Sequence, residues 1–146
     1  MRIAIGSDHA AFNLKQVIIE HLEATVGVEV LDLGPTSAAR CDYPDYAGKV
    51  ADAILAGEAQ LGVLICGTGI GISIAANKRA GIRAALCHDT TTARLARVHN
   101  DAQIVCFGAR IVGTQVATDI VDAFLAAEFE GGRHVGRIQK IHALEG

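Results

Sequence analysis

The sequence predicts an α/β protein: a three-layer α/β/α, Rossmann-like fold with a five-stranded parallel sheet and a C-terminal helical tail. Two observations carry that expectation. Short apolar runs alternate with longer segments of helical periodicity, the pattern of repeated strand–helix–strand units. The run Leu61-Gly62-Val63-Leu64-Ile65-Cys66 is apolar at every position, as in a sheet covered on both faces. Right-handed crossovers then put helices on both sides of the sheet.

Taken in order, residues 2–6 form a first strand. Residues 10–24 follow with Leu14, Val17, Ile18 and Leu22 at helical spacing. A second strand over 28–33 ends at Gly34-Pro35, and 35–43 is a polar loop. Pro44 suits the first turn of a helix to about Ala56, where its missing N–H is not needed. The third strand is 61–66, with a helix over 70–78 behind it. A fourth strand at 82–87, a helix at 90–99, a fifth strand at 103–107 and a helix at 113–127 complete the alternation. The tail from Glu130 is helical after Gly131-Gly132.

Bulk properties narrow the function. The 146 residues suit a single domain spanning 1–146. Sixteen acidic against thirteen basic residues give a net charge of -3, with no electrostatic case for nucleic acid or an anionic membrane. No apolar run reaches the 18 or so residues of a membrane span. An apolar fraction of 51% suggests surface buried between subunits, hence a homo-oligomer. No signal peptide precedes the first strand, so Cys41, Cys66, Cys87 and Cys106 indicate a reducing cytoplasm. Their spacing matches no zinc pattern. Three of the four close apolar runs, so burial is the expectation for each.

In a doubly wound sheet, ligands bind beyond the carboxyl ends of the strands. That rule selects Asp8-His9, Cys66–Gly71, His88-Asp89 and Gly108–Arg110. In Cys66-Gly67-Thr68-Gly69-Ile70-Gly71, alternate glycines leave backbone N–H groups free to converge on an anion. The following helix adds its positive end, which favours the reactive thiolate of a cysteine placed there. A base beside an anion hole suits proton abstraction next to a carbonyl. The competing reading is a dinucleotide loop, with Asp89 about twenty residues on as the ribose acid. The order G-x-G-x-G after the third strand breaks that fingerprint. Cys66 is otherwise a small buried hydrophobe.

Further along, Arg133 and Arg137 lie four apart and share a helical face with Lys140, a suitable phosphate clamp. The alternative is a solvated helix packed through Val135, Ile138, Ile141 and Leu144. His99-Asn100 ends a helix, where both a C-terminal cap and an acid–base imidazole are reasonable. Asp8 is either a site residue or a helix cap, and Asp42-Tyr43-Pro44 is otherwise a turn.

Together, Gly6-Ser7-Asp8-His9-Ala10, Asp42-Tyr43-Pro44, the run from Cys66 through Asn77-Lys78, His99-Asn100 and Gly131-Gly132-Arg133-His134 resemble the type B ribose-5-phosphate isomerases, a family that includes allose- and galactose-6-phosphate isomerases. The resemblance covers essentially the whole chain. It implies interconversion of ribose 5-phosphate and ribulose 5-phosphate through an enediol, a step of the pentose phosphate pathway, without metal or organic cofactor. By position it implies Cys66 as base, His99 as the ring-opening group and Thr68 as a contributor. It implies substrate contacts from Asp8, His9, Tyr43, Gly67, Gly69, Ile70, Gly71, Asn100 and Arg110, and phosphate contacts from Arg133 and Arg137. The family places its site at a dimer interface, with His99, Asn100 and the arginines reaching across, in a homodimer or a dimer of dimers. One branch uses a glutamate at the position of Ile72 and lacks the cysteine; this chain resembles the cysteine branch. An allose-6-phosphate isomerase and a non-catalytic sugar-phosphate sensor on the same scaffold are the alternatives. Alkylation is expected at Cys66 first, the other three cysteines being buried.

Overall fold

The computed structural model describes residues 1–146. Five strands, β1 (Arg2–Ser7), β2 (Glu29–Asp32), β3 (Leu61–Cys66), β4 (Ala84–Leu86) and β5 (Ile104–Gly108), pair in parallel in the order β2-β1-β3-β5-β4. Six helices intervene or follow: α1 (Phe12–Glu23), α2 (Tyr43–Leu55), α3 (Ile70–Ala76), α4 (Thr90–Asn100), α5 (Thr114–Ala126) and α6 (Arg133–Ala143). A short 3-10 turn over His9–Ala11 leads into α1.

The sheet buries both faces because its central strands are apolar throughout. On one face Ile3, Ile5, Val63, Ile65, Val105 and Phe107 pack against α1, α4 and α5 through Ile18, Leu22, Ala96, Ile120 and Phe124. On the other, Ala4, Leu64, Cys66, Ile104 and Cys106 pack against α2 and α3 through Val50, Ala51, Ile72 and Ala76. Every residue of β3 is buried, and each fully buried Val, Leu or Ile contributes about 1.5–3 kcal/mol. Gly62 is small for a reason: a Cβ there would lie 2.8 Å from Val50 and 3.0 Å from Ile54, so α2 rests directly on β3.

The element order matches the sequence expectation, with shifted ends. β4 covers 84–86 rather than the expected 82–87, and side chains complete the hydrogen bonding at its start and along its open edge. Asn77 accepts from the Ala84 amide at 2.7 Å and donates to the Ala84 carbonyl at 2.9 Å. Gln103 accepts from the Arg83 amide at 2.8 Å. At the end of α4 the left-handed cap is Asp101 (φ 45), not Asn100, which is the last helical residue. Arg97 holds the Asp101 carboxylate at 2.9 Å.

Lys15 is the one fully buried cation, at 0% exposure. Its Nζ donates to Asp32 Oδ1 at 2.7 Å and to the Pro35 carbonyl at 2.8 Å. It therefore ties α1 to the end of β2 and to the loop that leads into α2.

Candidate active site

Strand direction divides the expected residues into two groups. Asp8, His9, Tyr43, Cys66–Gly71 and Arg110 follow carboxyl ends of strands or begin the helices after them. α4 starts at that edge, at Thr90, and its eleven residues carry the chain about 16 Å back toward the amino edge. His99 and Asn100 thus sit near the amino edge, where Arg83, just before β4, donates to the Asn100 carbonyl at 2.8 Å. α6 joins them there. The His99 and His134 rings stack at 4.6 Å, and Glu145 accepts from the Gly81 amide at 2.9 Å. Arg133 and Arg137 occupy the first two turns of α6. One chain therefore does not bring His99, Asn100, Arg133 and Arg137 to Cys66.

At the carboxyl edge the glycine loop is set by close approach. Gly69 has φ 77, and a Cβ on it would lie 2.7 Å from the Phe107 carbonyl carbon. Its N–H donates to Cys66 Sγ at 3.1 Å. The Thr68 hydroxyl accepts from the Ile70 amide at 3.2 Å, which leaves its own hydrogen for another acceptor. The Gly67 and Thr68 amides donate to no group of the chain, and the first-turn amides of α3 have no acceptor in their own helix. α3 has only seven residues, shorter than expected, so anion binding rests on loop amides more than on the helix dipole.

Other side chains frame this loop. The Arg110 guanidinium lies beside Gly67, 3.3 Å from where a Cβ would project, and the Arg110 amide donates to the Gly67 carbonyl at 3.0 Å. Tyr43 lies against Gly71, its ring 2.5 Å from the corresponding Cβ position. Asp8 caps the turn before α1, accepting from the Ala11 amide at 3.2 Å. His9 Nδ1 stands 3.1 Å from the Cys41 carbonyl oxygen, which aims its ring from the β2–α2 loop. His88, selected in the sequence only by its place after the fourth strand, has a definite function: its Nε2 accepts from the Gly108 amide at 3.1 Å. Gly108 in turn abuts the Thr68 backbone, so His88 supports the loop from behind.

One expectation needs correction. Cys66 is buried, at 4% exposure, while Cys41 is the more accessible thiol. Cys41 leaves the apolar pattern early, on a polar loop, whereas Cys66 ends a central strand. Burial pushes the Cys87 and Cys106 thiols up, Cys106 well above its ordinary range. Asp89, the acid of the dinucleotide reading set aside above, caps α4 by accepting from the Thr92 amide at 2.6 Å. That bond holds Asp89 below the usual carboxylate range.

At the amino edge, Arg133 donates to Glu130 at 3.1 Å. His134 is 5% exposed, and its Nε2 is buried without a hydrogen-bond partner. Burial, and then the charge of Arg133, hold its imidazole below the usual range. The apolar side of α6 is largely open: Val135, Ile141 and Leu144 are exposed and Ile138 is half-buried. Near the other half-site Tyr43, Ile70, Ile74, Leu86 and Ile111 are exposed as well. No helix is long and apolar enough to cross a membrane.

A model of the ribose/galactose isomerase family matches residues 3–141. The chain is 54% identical over 144 residues to ribose-5-phosphate isomerase B of Escherichia coli K12, covering 99% of this chain and 96% of that one. Among solved structures, ribose-5-phosphate isomerase B of Clostridium thermocellum matches with a TM-score of 0.97 at 52% identity, over 99% of this chain and 97% of the other. The Mycoplasma genitalium ribose-5-phosphate isomerase B, solved with bound ribulose 5-phosphate, matches with a TM-score of 0.92 at 48% identity, over 99% and 95%.

Proposed function

This chain belongs to the ribose/galactose isomerase family, and we propose that Cys66 is its base, working in a site that a second copy of the chain completes. The chain is an aldose–ketose isomerase that interconverts D-ribose 5-phosphate and D-ribulose 5-phosphate. The observation that carries the cysteine reading is the Gly69 N–H directed at Cys66 Sγ, beside two loop amides with no partner.

With the furanose open, the Cys66 thiolate takes the proton from C2. The electron pair moves into an enediolate, whose oxygen charge is held by the Gly67 and Thr68 amides. The Thr68 hydroxyl, already accepting from Ile70, donates to the same oxygen. The thiol then returns its proton to C1 while the O2 hydroxyl proton passes to O1, so that the C2 oxygen becomes the ketone and O1 a hydroxyl. His99 opens the ring; Asp8, His9, Tyr43, Gly69, Ile70, Gly71, Asn100 and Arg110 orient the sugar. Arg133 and Arg137 hold the phosphate as bidentate donors.

The split between the two edges supports assembly from two copies. The ends of a six-residue strand are about 17 Å apart, too far for His99 to reach Cys66 within one chain. In a twofold dimer each copy lends its amino-edge group to the other's glycine loop, giving two equivalent sites. The exposed apolar residues beside both half-sites favour such a contact. Four unpaired thiols fit a reducing cytoplasm.

Ribulose 5-phosphate formation from ribose 5-phosphate, measured with EDTA present, tests the chemistry. Wild type turns over and Cys66→Ala, still folded, loses at least about a thousandfold; comparable rates would exclude Cys66 as base. Mixing Cys66→Ala with His99→Asn chains tests the assembly. Random pairing at equal amounts restores about one quarter of wild-type activity, because half the dimers carry one intact site of two. No recovery after exchange of subunits would place both residues in one chain's site.

A further inference from the structure

One cluster at the amino edge is larger than the isomerisation requires. His99, Glu130 and His134 each offer a donor atom, and the three atoms lie within 4.8 Å of one another. They come from two segments locked together by the Glu130 amide, which donates to the Val98 carbonyl at 3.0 Å. His134 is 95% removed from solvent, and its Nε2 has no partner. An orphaned buried imidazole nitrogen is costly, and it points to a ligand that satisfies it.

We propose that His99, Glu130 and His134 bind a divalent transition-metal ion of the zinc class, and that occupancy inhibits the enzyme by withdrawing His99. Two imidazoles and one carboxylate, with the fourth position left to water, are a common zinc donor set. Bonds of about 2.0–2.1 Å in a tetrahedron place donors about 3.4 Å apart. Closing that difference takes rotation of the exposed Glu130 side chain and of the half-buried His99 ring, which leaves its stack on His134 so that both ring lone pairs meet the ion. The arriving ion displaces Arg133 from Glu130, where the guanidinium now sits at 3.1 Å. A metal-bound His99 nitrogen has no lone pair left for a ring-opening proton. The inhibitory half of the proposal rests on the role given to His99 above; the binding half does not.

The test titrates Zn2+ against a chromophoric chelator for wild type, Glu130→Gln and His134→Phe, at one protein concentration. The phenylalanine keeps a ring against His99. The exposed Glu130→Gln position leaves a readable variant if the buried one misfolds. Wild type binds one ion per chain, and each variant binds at least about tenfold more weakly. Co2+ in the same site gives visible bands without the sulfur charge-transfer band that a cysteine ligand adds. Turnover falls in step with Zn2+ occupancy and recovers with EDTA. Equal affinity in all three proteins, or a sulfur band, overturns the site. Tight binding that Glu130→Gln weakens, with full turnover at saturation, overturns the inhibition and with it the assignment of His99.

Discussion

Alanine at Gly69 and at Gly71 separates what the loop's glycines do. At Gly69 the φ of 77 costs an L-residue about 1–2 kcal/mol. The new Cβ would also lie 2.7–2.8 Å from the Phe107 backbone. Phe107 belongs to β5, inside the sheet, and cannot retreat; forced overpacking costs a further 1–3 kcal/mol or so. Loss of unfolded-chain entropy returns at most about 1 kcal/mol. Gly69→Ala should therefore lose about 3 kcal/mol, a fall of roughly 10 °C in Tm for a chain this size. At Gly71 the backbone is helical, where alanine is favoured by up to about 1 kcal/mol. Its obstacle is the Tyr43 ring, 2.5–2.8 Å away but 38% exposed and free to swing outward. Gly71→Ala should keep stability within about 1 kcal/mol yet raise KM, because Tyr43 leaves the sugar. Urea melts at one protein concentration, with KM and kcat alongside, decide the matter. Equal destabilisation by both alanines would refute the reasoning, as would a wild-type KM in Gly71→Ala.

Other perturbations address single groups. Arg137→Ala should raise KM for ribose 5-phosphate about tenfold or more with kcat little changed, as loss of a charged hydrogen bond of about 1.5–3 kcal/mol requires; a normal KM removes Arg137 from the phosphate site. The Asp89 pKa is lowered by the Thr92 amide, so its stabilisation is present above the ordinary carboxylate pKa and is lost as pH falls through the depressed folded value. Asp89→Ala should thus lower Tm at pH 7 and match wild type once both forms are below that value; a pH-independent gap would show that the carboxylate charge is not what caps α4. Iodoacetamide should modify Cys41 and Cys66 and spare Cys87 and Cys106, with ribulose 5-phosphate protecting Cys66 alone. Activity that falls with Cys41 modification while Cys66 remains free would contradict the assignment of the base.

The sheet was legible because its evidence is local. Unbroken apolar runs can be buried only on both faces, and the run after β3 carries its glycines at the positions where backbone must approach backbone. The accessibility of the cysteines was legible only in part. Apolar neighbours do separate Cys41, in its polar loop, from Cys66 at the end of a buried strand, but the approach of a partner or substrate to either thiol is set by the tertiary fold. Nor does the sequence show that Asn77 would satisfy the open edge of β4 at Ala84, since that depends on α3 ending beside an edge strand. Lys15 is the sharpest case. Within an amphipathic pattern it reads as a solvent residue, and only the return of Asp32 and Pro35 over α1 encloses it. His134 and Glu130 are similar: their significance arises where the tail folds back on α4.

The division of the site has an energetic consequence. In the proposed dimer the sugar is gripped at its reacting end by one copy's loop and at its phosphate by the other copy's α6. Any free energy gained by binding across the interface must appear equally as tighter subunit association, because the two equilibria are linked. Exposed Ile70, Ile74 and Leu86 beside one half-site, and Val135 and Ile141 beside the other, supply apolar area that holds the dimer without substrate. The phosphate clamp then adds an increment only when the sugar is present. A chain whose proposed base, Cys66, is buried at 4% exposure would gain from this arrangement. In the proposed dimer the partner's surface would close over Cys66, exclude water from the enediolate, and strengthen the amide contacts on which the proposed proton transfer depends.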